Sequence, residues 1–127
     1  MIDDDQIYCY LAKTTLEKTN LINEIKFFPN GLAAINYFKE IQDKGGVKPE
    51  IIFLDLAMPI MDGWEFLEEF EKLHDSFREN INLFIVSSSI SPADIQRAAT
   101  FNFVKNYLVK PITAEKTINC IKEISKE

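Results

Sequence analysis

The 127-residue chain holds one histidine, two cysteines and four glycines. A lone imidazole, His74, leaves no basis for a histidine-rich metal centre or a Cys/His nucleophile pair. Cys9 and Cys120 lie far apart and form no CxxC motif, so they read as two reduced, buried thiols of a cytosolic protein. No apolar run approaches the length of a membrane span. Met1 is followed at once by Ile2 and three aspartates, which leaves no basic leader of a signal peptide. Internal repeats, low-complexity tracts and Pro- or Ser-rich linkers are also missing. Basic residues are in deficit: fourteen against twenty acidic ones give a net charge of -6. That balance weighs against nucleic acid or an anionic membrane as partner, because phosphate surfaces reward clustered Lys and Arg. It suits a cation site or a basic protein surface.

What is present fits one domain with a single core. Short apolar runs alternate with helical patterns. Met1-Ile2 forms a very short first run ending on Asp3, Asp4 and Asp5. A helix is expected from about Gln6 to Thr19, with Ile7, Tyr10, Leu11 and Thr14 near one face. Asn23 to Phe28 alternates and reads as a strand. Asn30 caps a helix over about 32–44, striped by Ala34, Ile35, Phe38 and Ile41 and stopped by Gly45-Gly46. Ile51-Ile52-Phe53-Leu54 is a continuous apolar run ending on Asp55, the mark of a strand covered on both faces. A loop through Asp62-Gly63 leads to a helix over about 64–73. Leu83 to Val86 is the next buried strand, ending in Ser87. A helix follows with Ser91 as cap, Pro92 at its first position and Asp94 three residues on. Phe103 to Val109 is the last strand, ending on Lys110-Pro111. Thr113 caps a final helix with Ile118, Ile121 and Ile124 on its inner stripe.

Strand followed by helix, five times over, argues for an α/β fold with a parallel sheet and helices on both faces. Ligands in such sheets bind beyond the carboxyl ends of the strands. Asp3, Asp4, Asp55, Ser87 and Lys110 all stand at those ends. Three carboxylates brought together repel unless a cation compensates, and oxygen ligands with a phosphate suit Mg²⁺. Asp55, alone at its strand tip, is the best nucleophile toward a phosphoryl group. Asp4 and Asp55 would hold the metal directly and Asp3 partly through water. The Lys110 ammonium and the Ser87 hydroxyl would meet phosphoryl oxygens.

Four motifs carry a family resemblance: Ile2-Asp3-Asp4-Asp5, Ile51 to Gly63, Val86-Ser87-Ser88 and Tyr107-Leu108-Val109-Lys110-Pro111. Over its whole length the chain resembles the receiver domain of bacterial two-component response regulators, the fold of the chemotaxis response regulator. The resemblance implies a flavodoxin-like, doubly wound sheet of five parallel strands, order 2-1-3-4-5, with five helices. It implies that Asp55 accepts phosphate from a sensor histidine kinase or a histidine phosphotransfer protein, with Mg²⁺ or Mn²⁺ held by Asp3, Asp4, Asp55 and the backbone carbonyl of Ala57. Ser87 takes the place of the switch hydroxyl and Tyr107 that of the switch aromatic. Lys110-Pro111 is expected to be a cis peptide bond. The fourth helix, fifth strand and fifth helix would present a changed surface to a downstream protein partner. Such a domain is not an enzyme beyond self-phosphorylation from small phosphodonors and autodephosphorylation. Ala57 and Ser89, both small, leave the phosphate open to water.

A single cytoplasmic receiver over residues 1–127 is therefore expected, with no output domain in this chain, either standing alone or excised from a larger regulator or hybrid kinase, without nucleic acid or membrane as partner, monomeric or weakly dimeric. The two-residue first strand is shorter than receivers carry, which suggests residues ahead of Met1. Other chemistries fit less well. An aspartyl-phosphate phosphatase of the haloacid-dehalogenase type needs a carboxylate where Ala57 stands. A flavodoxin-like cofactor site needs a phosphate loop where Asp3, Asp4 and Asp5 would repel one. A receiver-like interaction module that takes no phosphate has little use for the acidic pair, Asp55 and Lys110. Asp5, His74, Trp64 and the run Glu65, Glu68, Glu69 and Glu71 read as surface or packing residues. Phe101 and Phe103 read as core.

Overall fold

The computed structural model describes residues 1–110 and 113–125. The element order is α1 (Gln6–Glu17), α2 (Gly31–Lys44), β1 (Ile51–Asp55), α3 (Gly63–Glu71), α4 (Asp75–Arg78), β2 (Asn82–Ser87), α5 (Pro92–Ala99), β3 (Val104–Val109) and α6 (Ala114–Ser125). β1, β2 and β3 form a parallel sheet in that order, with Ile51 opposite Asn82 and Leu83 opposite Val104. Ile2 continues the sheet by parallel bridges to Leu54 on one side and Phe28 on the other. The lateral order Phe28, Ile2, β1, β2, β3 is thus the expected 2-1-3-4-5, with the first two strands reduced to bridges. Asn23 to Lys26 are not in a strand. A ladder needs a partner of matching length, and Met1 and Ile2 supply only a few hydrogen bonds. These are the Met1 amino group to Lys26 O, Ile2 N–H to Phe53 O, Asp55 N–H to Ile2 O and Phe28 N–H to Met1 O, followed by Asp3 N–H to Phe28 O.

The described residues form six helices against the five expected; the addition is the single turn α4. His74 precedes it, exposed as expected, and its N–H donates to Gln42 Oε1. Lys48 Nζ closes the far end of that turn by donating to the carbonyls of Ser76, Phe77 and Glu79. The Asn30 cap is present, its side chain accepting from Ala33 N–H. Gly45 ends α2 at φ 85°, a conformation that costs glycine nothing. α3 carries a capping box between Asp62 and Glu65, with Glu65, Glu68 and Glu71 exposed on its outer side.

The core splits across the two faces of the sheet. Ile35, Phe38, Leu54, Phe66, Phe70, Leu83 and Ile85 pack on one side, joined by Phe101 and the partly buried Phe103. Phe53, Phe84, Val86 and Cys120 pack on the other. The inner stripe of α6 consists of Thr117, Cys120 and Ile121, with Ile118 and Ile124 half-buried beside it. Helix α1 corrects the sequence reading. Cys9 and Leu16 face inward, whereas Ile7, Tyr10 and Leu11 are 75%, 69% and 58% exposed. No helix among the described residues is long and apolar enough to cross a membrane.

Candidate functional site: an acidic pocket at the carboxyl edge of the sheet

Parallel strands deliver their last residues to one edge. Asp55 ends β1 opposite Val86, and Ser87 ends β2 opposite Val109. The Ile2–Leu54 bridge brings Asp3 alongside. Gly63 lets α3 press against this edge: a Cβ there would lie 2.6 Å from the Asp55 carbonyl oxygen and 2.7 Å from Leu56 Cα. The Gly63 N–H donates to Leu56 O at 2.9 Å, which ties the helix start to the strand end.

Asp3 and Asp55 are each only 6% exposed, and Asp4 is exposed at the rim. All three can offer a carboxylate oxygen within 4.8 Å of one another. Lys110 Nζ lies 3.1 Å from Asp3 Oδ2 and 3.4 Å from Asp55 Oδ1. Asp3 Oδ1 accepts from the Asp5 N–H at 2.9 Å. Burial and the neighbouring Asp3 charge push the Asp55 carboxyl above the ordinary range; Lys110 and the Ala57 N–H offset part of that. For Lys110, burial pulls its pKa down, but Asp3 and Asp55 outweigh it and hold it up, so it stays an ammonium. Two buried carboxylates, a third at the rim and one ammonium leave net negative charge in a half-closed pocket. That donor set is hard, oxygen-only and incompletely neutralised, which fits Mg²⁺ or Mn²⁺. Ala57 sits exposed just beyond Asp55, on the same rim. The Lys110-Pro111 bond expected to be cis lies outside the described residues.

Ser87 is buried. Its Oγ accepts from Ser89 N–H at 3.1 Å, and its carbonyl accepts from Lys110 N–H at 2.7 Å. Tyr107, half-buried, donates its hydroxyl to Ser89 O at 3.0 Å. The five strand-end residues singled out from sequence therefore meet at one edge, with Tyr107 one loop away.

The sequence profile of the response regulator receiver domain matches residues 1–122. The chain belongs to the response regulator receiver domain family. Among similar proteins, the probable methanogenesis regulatory protein FilR2 of Methanothrix harundinacea is 27% identical over 99% of this receiver and 79% of its own length. The chemotaxis protein CheY of Listeria monocytogenes is 25% identical over 99% of this receiver and 97% of its own length. A solved two-component response regulator from Cytophaga hutchinsonii superposes with a TM-score of 0.85 at 32% identity, covering 99% and 94% of the two chains.

Three features of this receiver were not read from its sequence. Asp94 does not make the expected capping bond with Ser91; its Oδ2 accepts from Ser89 Oγ at 2.6 Å, and that Oγ accepts from Ser91 N–H. Asp5 is the N-cap of α1, accepting from Tyr8 N–H, and not merely a solvated acid. Tyr8 itself faces the pocket, its ring centroid 5.4 Å from Lys110 Nζ. The only sequence signal for Asp5 was an Asp just ahead of a helical pattern, a common cap. For Tyr8 there was none, since the contact joins residues about a hundred positions apart.

Proposed function

We propose that Asp55 is the phosphoacceptor of a two-component signalling pathway. The observation that supports this most directly is a nearly buried carboxylate, at a strand tip, with a second carboxylate and an ammonium within contact distance. One Asp55 oxygen attacks the phosphorus of a phosphohistidine on a sensor kinase or phosphotransfer protein. The P–O bond forms as the P–N bond breaks, and the imidazole leaves with the electron pair and takes up a proton. Asp3, Asp4, Asp55 and the Ala57 carbonyl would hold Mg²⁺ or Mn²⁺, which when bound neutralises charge on the phosphoryl oxygens. Lys110 meets one of those oxygens as a point charge.

The downstream consequence follows from the Ser87–Ser91 loop. A phosphoryl group at Asp55 adds charge and acceptor oxygens close to Ser87. If the Ser87 side chain swings its Oγ toward the phosphoryl group to donate to it, that Oγ moves out of reach of the Ser89 N–H, which loses its acceptor. Ser89 carries both the Tyr107 hydroxyl bond and the link to Asp94 on α5, so the rearrangement reaches α5 and β3. A protein partner that prefers the shifted α5–β3–α6 surface then draws the equilibrium toward it. The setting is cytoplasmic, and the recognition is between proteins.

The test is incubation with Mg²⁺ and acetyl phosphate followed by intact-mass measurement. Wild type is expected to gain one phosphoryl group and Asp55→Asn none. A wild type that gains nothing would instead mark a module that binds partners without phosphate.

A further inference from the structure

Tyr8 lies on the first turn of α1, and its position there is set from both ends. Its N–H donates to the Asp5 side chain at 3.0 Å. Its ring packs against the cluster of Phe53, Phe84, Val86 and Cys120 on one face of the sheet. From that seat the ring faces Lys110, with Nζ 5.4 Å from the centroid. The same Nζ reaches Asp3 Oδ2 at 3.1 Å and Asp55 Oδ1 at 3.4 Å. We propose that Tyr8 is a positioning residue for Lys110, its ring face holding the ammonium between Asp3 and Asp55 without neutralising it. The proposal rests on the reading of Asp55 as phosphoacceptor.

Charge favours a ring at this place. Lysine has a long, flexible stem and loses much rotamer freedom when its end is fixed. A further carboxylate could fix it, but would cancel the charge that an incoming phosphoryl group needs. An aromatic face attracts a cation through its quadrupole and carries no net charge. Tyr8 remains in that neutral form: burial, then the charges of Asp3, Cys9 and Asp55, push its hydroxyl up to about 12. The ring also covers one flank of Lys110, whose side chain is 22% exposed. The ammonium is therefore held in place before the phosphoryl group arrives, instead of being drawn in from solvent.

Two measurements on the full chain test this. In the metal-free protein, the ring current of Tyr8 should displace the Lys110 Cε proton resonances. Tyr8→Phe should keep the displacement and Tyr8→Leu should abolish it. Then the rate of phosphoryl adduct formation from acetyl phosphate is measured for wild type, Tyr8→Phe, Tyr8→Leu, Lys110→Met and Tyr8→Leu/Lys110→Met. Tyr8→Leu is expected to slow it about three- to thirty-fold, the range a cation–ring contact supports. Tyr8→Phe should stay close to wild type. In the Lys110→Met background, Tyr8→Leu should cost nothing more, because its effect runs through the ammonium. Losses that multiply in the double variant, or a Tyr8→Leu rate equal to wild type, overturn the proposal. A wild type that never takes the adduct overturns the phosphoacceptor reading instead; the resonance displacement still decides whether Tyr8 holds Lys110.

Discussion

Asp55 is held in a state that the metal-free fold does not favour. Its carboxyl sits above the ordinary value of 3.8 because burial and Asp3 disfavour the charge. The folded chain therefore binds a proton here more readily than the unfolded chain. Stability falls as pH rises from about 4 through the raised value, and remains reduced at neutral pH. Asp55→Asn removes that charge while keeping the shape. Metal-free thermal denaturation should show the variant melting a few degrees higher than wild type at pH 7 and nearly level with it near pH 4. Equal melting temperatures at both pH values would contradict the assigned cause. The thiols are perturbed the same way but have no chemistry to perform. Burial, then the charge of Asp3, pushes Cys9 up to about 11, and burial also raises Cys120. Both are free and buried. An aromatic disulfide reagent at pH 7.5 should therefore label neither in the native protein and both after denaturation. Fast labelling of either would mean that its helix opens readily.

At the scale of elements, the sequence was informative where burial leaves no choice and ambiguous where it does. Ile51–Leu54 and Leu83–Val86 are apolar at every position, so they had to be covered on both faces and therefore central. Their terminal Asp55 and Ser87 followed, and with them most of the pocket. Helix α1 is apolar on more than one side. Ile7, Tyr10, Leu11 and Thr14 repeat at helical spacing as well as Cys9, Ala12 and Leu16 do, and periodicity alone does not choose between the two sets. Of the second set the fold buries Cys9 and Leu16 and leaves Ala12 half-buried, whereas Ile7, Tyr10 and Leu11 of the first set stay exposed. Ser91 and Asp94 illustrate a different limit: a cap pattern names residues that can bond, and a nearer hydroxyl, Ser89, took the bond instead. The exposed apolar side of α1 has a consequence. It starts at Ile7, just past the Asp5 cap beside the pocket, where a protein phosphodonor would approach on the proposed reading of Asp55. Replacing Leu11 with Glu should slow phosphoryl transfer from a cognate phosphotransfer protein at least about ten-fold, the effect of a charge placed in a desolvated contact. Transfer from acetyl phosphate should be unchanged. Equal slowing with both donors would show that the substitution damages the pocket and not a docking surface.

At the scale of the whole molecule, the sheet of the described residues is unevenly joined, and the pocket straddles the join. On one side, β1, β2 and β3 are joined along their length by ladders, the β2–β3 one broken once by a register shift between Leu83 and Phe84, and filled by fully buried Leu54, Leu83, Ile85 and Val86. On the other, Ile2 and Phe28 are attached through single bridges, and a cleft of about 550 Å³ opens between residues 21–28 and β1, lined by Ile22, Ile25, Phe28, Ile51 and Phe53. Few ladder bonds and unfilled apolar volume both lower the free energy of local opening. Asp55, Ser87 and Lys110 belong to the firm side, Asp3 and Asp4 to the loose one. A divalent cation shared by Asp3, Asp4 and Asp55 would therefore tie the two sides together, and its binding free energy would add to the stability of the looser one. Amide hydrogen exchange separates this from general tightening. Without Mg²⁺, the amides of Ile2, Asp3 and Phe28 should exchange at least about ten-fold faster than those of Leu54, Leu83 and Ile85, in line with a gap of 1.4 kcal/mol or more between the two openings. Saturating Mg²⁺ should slow the first group markedly and the second hardly at all. Asp55→Asn should weaken that selective protection, since it removes the ligand on the firm side. Uniform protection across both groups would mean that the sheet opens as one unit and that the cation does not bridge its two halves.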